Sequence, residues 1–318
     1  MTSHFPKHHF FFLTWFAGVS SVLLATGRSG IAQDTADVVI ATVNDEHIYQ
    51  GPLLAELKSL LDNTPTDSDA YQRLRNQVLN SAIQRRLALA YLERINQRAS
   101  DDDIKLSVIR LEKRLALKKQ TLNDYLNEKQ INREELEHQI AWQISWPKYS
   151  QQFLTDRNYE NFFNQRKMQF DGTQLLVSQI LLHVDQQQVR TEKQTLELAK
   201  DLLTRIRQEE VTFADAAREF SDSPTGKKGG MVGLIEFDGA MPREFNTAAF
   251  KLKSGEISEP VRTAFGYHLI KLNDITPGTI TWQMARPSLR KALIEHLLEF
   301  LTEAGRKIST VELSGDWK

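Results

Sequence analysis

The feature that most limits the fold is a change of hydrophobic period at Asp171-Gly172. Upstream, apolar residues recur at helical spacing: Leu53, Leu57, Leu60 and Leu61, then Leu74, Val78, Ile83, Leu87 and Leu92, then Ile104, Val108, Leu111 and Leu115. Each such stripe needs a neighbouring helix to cover it. Downstream, Leu175-Leu176-Val177-Ser178-Gln179-Ile180-Leu181-Leu182 is almost continuously apolar, the pattern of a strand central in a sheet. A change of period at this point separates a helical part from a part built around a sheet.

Local signals fill in both parts. Ser100 before Asp101-Asp102-Asp103 and Asn132 before Glu134-Glu135 start helices, with a capping side chain and acids in the first turn. Four or five helices are expected over residues 50–165, with Pro147 disturbing one of them near its end. The β-branched run Val38-Val39-Ile40-Ala41-Thr42-Val43, the turn Asn44-Asp45-Glu46 and then His47-Ile48-Tyr49 predict a small hairpin. After the long strand, residues 190–208 and 213–220 read as helices and 223–230 as a glycine-rich loop. Residues 243–250 read as a short helix, and 257–263 with 267–272 as two strands. That mixture is an α+β domain. Residues 287–307 are helical again, with Leu289, Leu293, Leu297 and Leu301 on one stripe, and 308–313 alternate like a strand.

Composition removes several chemistries. The chain has no cysteine, so thiol catalysis, iron–sulfur clusters and disulfides are excluded. A net charge of −1 gives no footprint for nucleic acid. Beyond residue 32 the histidines are His47, His138, His183, His268 and His296, none at metal-ligand spacing and none in an H-E-x-x-H. There is no G-x-S-x-G, and Lys227-Lys228 precede their glycines, which is not a phosphate loop. No metal and no cofactor are therefore expected. The basic residues Arg85-Arg86, Arg94, Arg98, Lys113-Arg114 and Lys118-Lys119 read as solvated helix faces, not as an anion site.

Lys7, the uncharged stretch from Phe10 to Ala25 and the small residues Gly30 and Ala32 have the form of a secretory signal, 1–32. Export, to a periplasmic or cell-envelope location, is the expectation, with no membrane span after the signal is removed. The sequence sets no oligomeric state.

Six segments in order carry a more specific signal. They are Val177-Ser178-Gln179-Ile180-Leu181; Phe213-(x)2-Ala216-Ala217-(x)2-Phe220-Ser221-Asp222-Ser223-Pro224; Gly229-Gly230-Met231-Val232-Gly233; Met241-Pro242-(x)2-Phe245-(x)2-Ala248-Ala249-Phe250; Gly255-Glu256-Ile257-Ser258-Glu259-Pro260-Val261; and Phe265-Gly266-Tyr267-His268-Leu269-Ile270. Together they resemble a parvulin-type (PpiC, rotamase) peptidyl-prolyl cis-trans isomerase domain. With the signal, the hairpin, the helical block and the last helix, the whole chain looks like the SurA-type exported foldases, here with one parvulin domain where that family often has two. The resemblance implies an α+β fold: a parvulin-like domain (a small antiparallel sheet with surrounding helices) at 171–276, joined to a helical SurA-N-like chaperone domain at 33–170. A C-terminal helix and strand at 277–318 would pack back on the helical domain.

The same resemblance implies the site. Met241 and Phe245, with Val232 and Phe265, form an apolar cup for proline, and Gln179, Asp222, Ser223, Thr263 and His268 form the polar side. Gln179 stands where the family usually has its first histidine, and Ser223 at its Cys/Asp position. His183 shares a strand face with Gln179 but lies about 13 Å away along the strand, too far to substitute. The reaction itself tolerates this. An X-Pro bond rotates over a barrier of roughly 18–20 kcal/mol without making or breaking a bond, so grip and a dry polar wall suffice and proton transfer is not needed. Isomerase and folding chaperone for unfolded or proline-containing polypeptides is the implied function. The alternative is a catalytically weak or inactive parvulin-fold module that only binds peptides.

Overall fold

The computed structural model describes residues 38–61, 68–184, 190–314 and 317; the expected signal, 1–32, lies outside them. Strands β1 (Val39–Val43) and β2 (Glu46–Tyr49) form the hairpin, turned at Asn44 with φ 54°. A third strand, β7 (Val311–Leu313), pairs antiparallel with β1, giving the order β2-β1-β7. The helical part thus carries a small sheet made from both ends of the described chain.

Among the described residues of 50–165 there are six helices: α1 (Gln50–Leu60), α2 (Asp69–Arg94), α3 (Asp101–Leu117), α4 (Leu122–Lys129), α5 (Arg133–Gln151) and α6 (Asp156–Gln165). A single turn, α7 (Lys167–Phe170), follows. The number exceeds the expected four or five because short α4 and α6 have caps of their own, Thr121 and Thr155, each accepting a backbone N–H three residues on. Pro147 does not end α5. The helix runs through to Gln151, and burial of Tyr149 and Ser150 in its last turn outweighs the backbone bond that proline cannot make.

Helix α11 (Arg286–Arg306) lies on this bundle. Leu301 packs with Ala88, Leu92 and Tyr149, and Leu289, Leu293 and Leu297 pack with Tyr159, Phe162 and Phe163. A Cβ on Gly305 would sit 2.0 Å from the Leu87 carbonyl oxygen, so only glycine lets α11 cross α2 this closely. Beneath the hairpin, buried and half-buried ions join three elements. The Arg86 guanidinium donates to Glu135 at 2.6 Å, and Arg98 reaches Glu46 at 3.1 Å.

The second sheet is antiparallel, in the order β4-β3-β6-β5, from β3 (Gln174–His183), β4 (Met231–Ile235), β5 (Val261–Thr263) and β6 (Gly266–Thr276). Helices α8 (Glu192–Arg207) and α9 (Phe213–Phe220) cover the face carrying Ile180, Leu182, Tyr267 and Leu269. Helix α10 (Arg243–Ala249) covers the other, with Leu175, Val177, Ile270 and Leu272. β5 is shorter than the run 257–263, since Pro260 has no N–H to give and Ile257 makes only an isolated bridge to Lys271. The strand entering this sheet and the strand leaving it lie side by side, Gln174 opposite Thr276. Just outside, the Asp171 carboxylate accepts from Thr173, and the Asp171 carbonyl accepts from the Ile280 N–H.

Candidate active site

Three adjacent strands set a row of polar side chains on the α10 face of the sheet. Gln179 on β3 is opposite Ile270 on β6, and His268 is two residues from Ile270, hence on the same face. Across β5, Val261 is opposite His268 and Thr263 is two residues on, so it too shares that face. Diagonal neighbours on one face are within reach of long side chains. His268 Nδ1 lies 2.9 Å from Gln179 Oε1, and His268 Nε2 lies 2.7 Å from Thr263 Oγ1. Gln179 Nε2 donates to Ser223 Oγ at 3.3 Å, and Ser223 Oγ is 2.9 Å from Thr225 Oγ1. Gln179, Ser223, Thr263 and His268 are all buried.

The loop 223–230 is pinned beside this row by a glycine that no other residue can replace. Gly230 has φ 83°, and a Cβ there would be 2.4 Å from the Gln179 carbonyl oxygen. Its own carbonyl accepts the Gln179 N–H at 2.8 Å. Ser223 caps the 3-10 turn Pro224–Lys228, which fixes its hydroxyl toward Gln179.

One direction of donation satisfies every member of the row. The Phe265 N–H donates to Thr263 Oγ1, whose O–H donates to His268 Nε2; Nδ1–H donates to Gln179 Oε1, and the amide donates onward to Ser223. That order requires a neutral imidazole. Burial holds the His268 pKa down at about 4, with His183 contributing in the same direction. Phe245 presses against the ring, its centroid 5.4 Å from that of His268 at an interplanar angle of 82°.

The apolar residues divide into a floor and a surface. Phe245 is completely buried in the core formed with Ile270 and Leu272, so it lies beneath the site and not at its face. Met241 and Val232 are half-buried above that core, and Phe265 is 58% exposed. Asp222 is not part of the row. Its carboxylate accepts from Arg190 at 2.6 Å and from the His183 N–H at 2.8 Å, which fastens the end of β3.

Sequence reasoning missed two contributors. Thr225 extends the row, and its signal was a hydroxyl two residues after Ser223 in a glycine-rich loop. Asn246, buried, donates to the Met241 carbonyl at 3.2 Å and the Phe237 carbonyl at 3.0 Å, and so holds the loop that presents Met241. A polar residue next to Phe245 on a short apolar helix was the only sign of it. Among the described residues no group of three or more metal-ligating side chains exists. The arrangement can grip and polarise an amide.

The chain carries a peptidyl-prolyl isomerase domain of the rotamase class beside a helical partner. Residues 180–274 match the PPIC-type PPIase domain model and residues 1–150 the SurA-like N-terminal domain model, so the chain joins these two domain types. Gln179 falls one residue before the first match. The chain is 27% identical to foldase protein PrsA of Caldanaerobacter subterraneus subsp. tengcongensis, over 82% of this chain and 80% of that one. It is 28% identical to a parvulin-like PPIase of Rickettsia prowazekii, over 64% of this chain and 69% of that one. A crystal structure of peptidylprolyl isomerase (PrsA) from Bacillus anthracis aligns at 24% identity over 70% of this chain and 93% of that one; its TM-score of 0.37 adds nothing to the fold.

Proposed function

We propose that this chain catalyses cis–trans isomerisation of X-Pro bonds in unfolded polypeptides outside the cytoplasm, as a folding factor. The observation that carries the reading is the neutral hydrogen-bonded row Thr263–His268–Gln179–Ser223, over whose Phe245 core Met241 and Val232 are half-buried. A proline ring rests on these two side chains, and the row fixes a dry polar wall against which the twisted amide is better accommodated than the planar one. Gln179, Ser223, Thr263 and His268 shape the wall, and Phe245 supports it from below. Asp222 acts at a distance, by holding the strand end through Arg190. Residues 33–170 with 277–318 form the part that holds client chains, and 171–276 the isomerase.

A protease-coupled assay with a peptide series Ala-X-Pro-Phe tests this directly. Acceleration of cis-to-trans conversion supports it; peptide binding with no acceleration gives the second reading, a binding module without catalysis. That reading is favoured by two observations, Gln179 in the usual histidine position and the complete burial of Phe245. For export, intact mass of the secreted form should show loss of the first 32 residues.

A further inference from the structure

Helix α3 carries two apolar stripes. Ile104 and Val108 are buried against α5, together with half-buried Leu111, and Leu115 is buried on the same stripe. On the opposite side Leu106, Ile109 and Leu117 are 49%, 45% and 87% exposed. At about 100° per residue, Leu106, Lys113 and Leu117 fall within a narrow arc diametrically across from the buried stripe, with Ile109 at its margin. Leu106 to Leu117 spans about 16 Å of helix. Around this second stripe residues 105–119 hold six cations, Lys105, Arg110, Lys113, Arg114, Lys118 and Lys119, against one acid, Glu112, in a chain whose net charge is −1. All six are exposed, and among the described residues Lys105, Arg110, Lys113, Lys118 and Lys119 form no ion pair.

We propose that this face of α3, with its tip at Leu117-Lys118-Lys119, docks on an anionic lipid surface. An exposed apolar stripe framed by uncompensated cations matches the boundary between acyl chains and acidic headgroups, with leucines inserted shallowly and ammonium groups at headgroup level. The face is convex and belongs to one helix, so it has no free backbone hydrogen-bonding edge and no pocket for an extended client chain. A fluid bilayer conforms to such a surface. No helix among the described residues is long and apolar enough to cross a membrane, so the contact is peripheral. The foldase would then work beside the membrane from which its clients emerge.

Because the chain contains no cysteine, one introduced thiol takes a fluorophore cleanly. The full chain carrying Leu117→Cys, labelled with an environment-sensitive dye, is titrated with phosphatidylglycerol vesicles and with phosphatidylcholine vesicles, beside a control labelled through Lys228→Cys. The expected result is a blue shift at 117 with the anionic vesicles only, reversed by salt and absent at 228. The triple change Lys113→Glu, Lys118→Glu and Lys119→Glu should weaken partitioning by roughly a hundredfold or more, at roughly 1 kcal/mol for each cation near an anionic surface. The dye reports its own surroundings, so binding through another part of the chain does not mimic the signal. Equal shifts with both lipids, no shift at 117, or a shift produced by a reduced unfolded protein without lipid would each overturn the proposal.

Discussion

Two buried histidines sit in opposite surroundings. His138 on α5 lies among ions, 3.5 Å from Glu46 and 3.6 Å from Glu134, with Arg86 and Arg98 in the same cluster. Burial first, then the two arginines, push its pKa down to about 3. His268 lies among neutral groups, an amide and a hydroxyl, and burial alone accounts for most of its fall to about 4. The first region is a charged lock in which every member depends on the others. Burial raises the Glu46 pKa against the pull of Arg98 and Arg86. The second is a neutral wall whose members can be exchanged for others of similar hydrogen-bonding capacity. A lock of that kind suits a structural joint, and an uncharged wall suits a reaction that moves no proton.

The largest effect expected from breaking this contrast is on the lock. Arg86→Met leaves buried Glu135 without its ion-pair partner and should cost about 3–5 kcal/mol in chemical unfolding, far more than any single change in the wall. Second, Phe245→Leu should cost about 1 kcal/mol, as a near-conservative core swap. It should also lower the isomerisation rate several-fold, because His268 loses the ring edge that fixes it. Loss of stability without loss of rate would place Phe245 in the core only.

Third, both histidines make stability fall with acid, over different windows. In the unfolded chain they take up a proton near pH 6.5, whereas folded His268 does so only at about 4 and folded His138 at about 3. The folded state is therefore fully favoured above pH 6.5 and loses ground as pH falls, at up to about 1.4 kcal/mol per pH unit for each histidine. Urea unfolding at pH 7, 6 and 5 should show this slope, and His268→Ala should reduce it by about one proton's worth. The smallest effect is Gln179→His. An imidazole there can accept from His268 and donate to Ser223 as the amide does, so the rate should be kept or raised.

Much of this was legible in the sequence because the decisive features are local. The change of period at Asp171, the caps at Ser100 and Asn132, and the ordered segments from Val177 to Ile270 depend on neighbours a few residues away. Gln179, Ser223, Thr263 and His268 could be placed together because the resemblance carried by those ordered segments assigns them to one site. What depended on distant packing was not legible. The pairing of β7 with β1 joins residues some 270 apart, and whether Pro147 ends α5 is decided by α2 and α11. Burial of Phe245 and the turning of Asp222 toward Arg190 are likewise set by groups from other elements. Nothing in a one-dimensional pattern distinguishes a phenyl ring lining a cup from one beneath it.

The central claim is that the isomerase site works as a neutral wall and not by proton transfer, and the pH profile of kcat/KM tests it most directly. Measured between pH 5 and 8 on a peptide without titrating side chains, the rate should be nearly flat, because His268 stays neutral down to about pH 4. A bell-shaped profile with a limb near pH 6–7 that disappears in His268→Ala would show a titrating histidine driving the reaction and would contradict it.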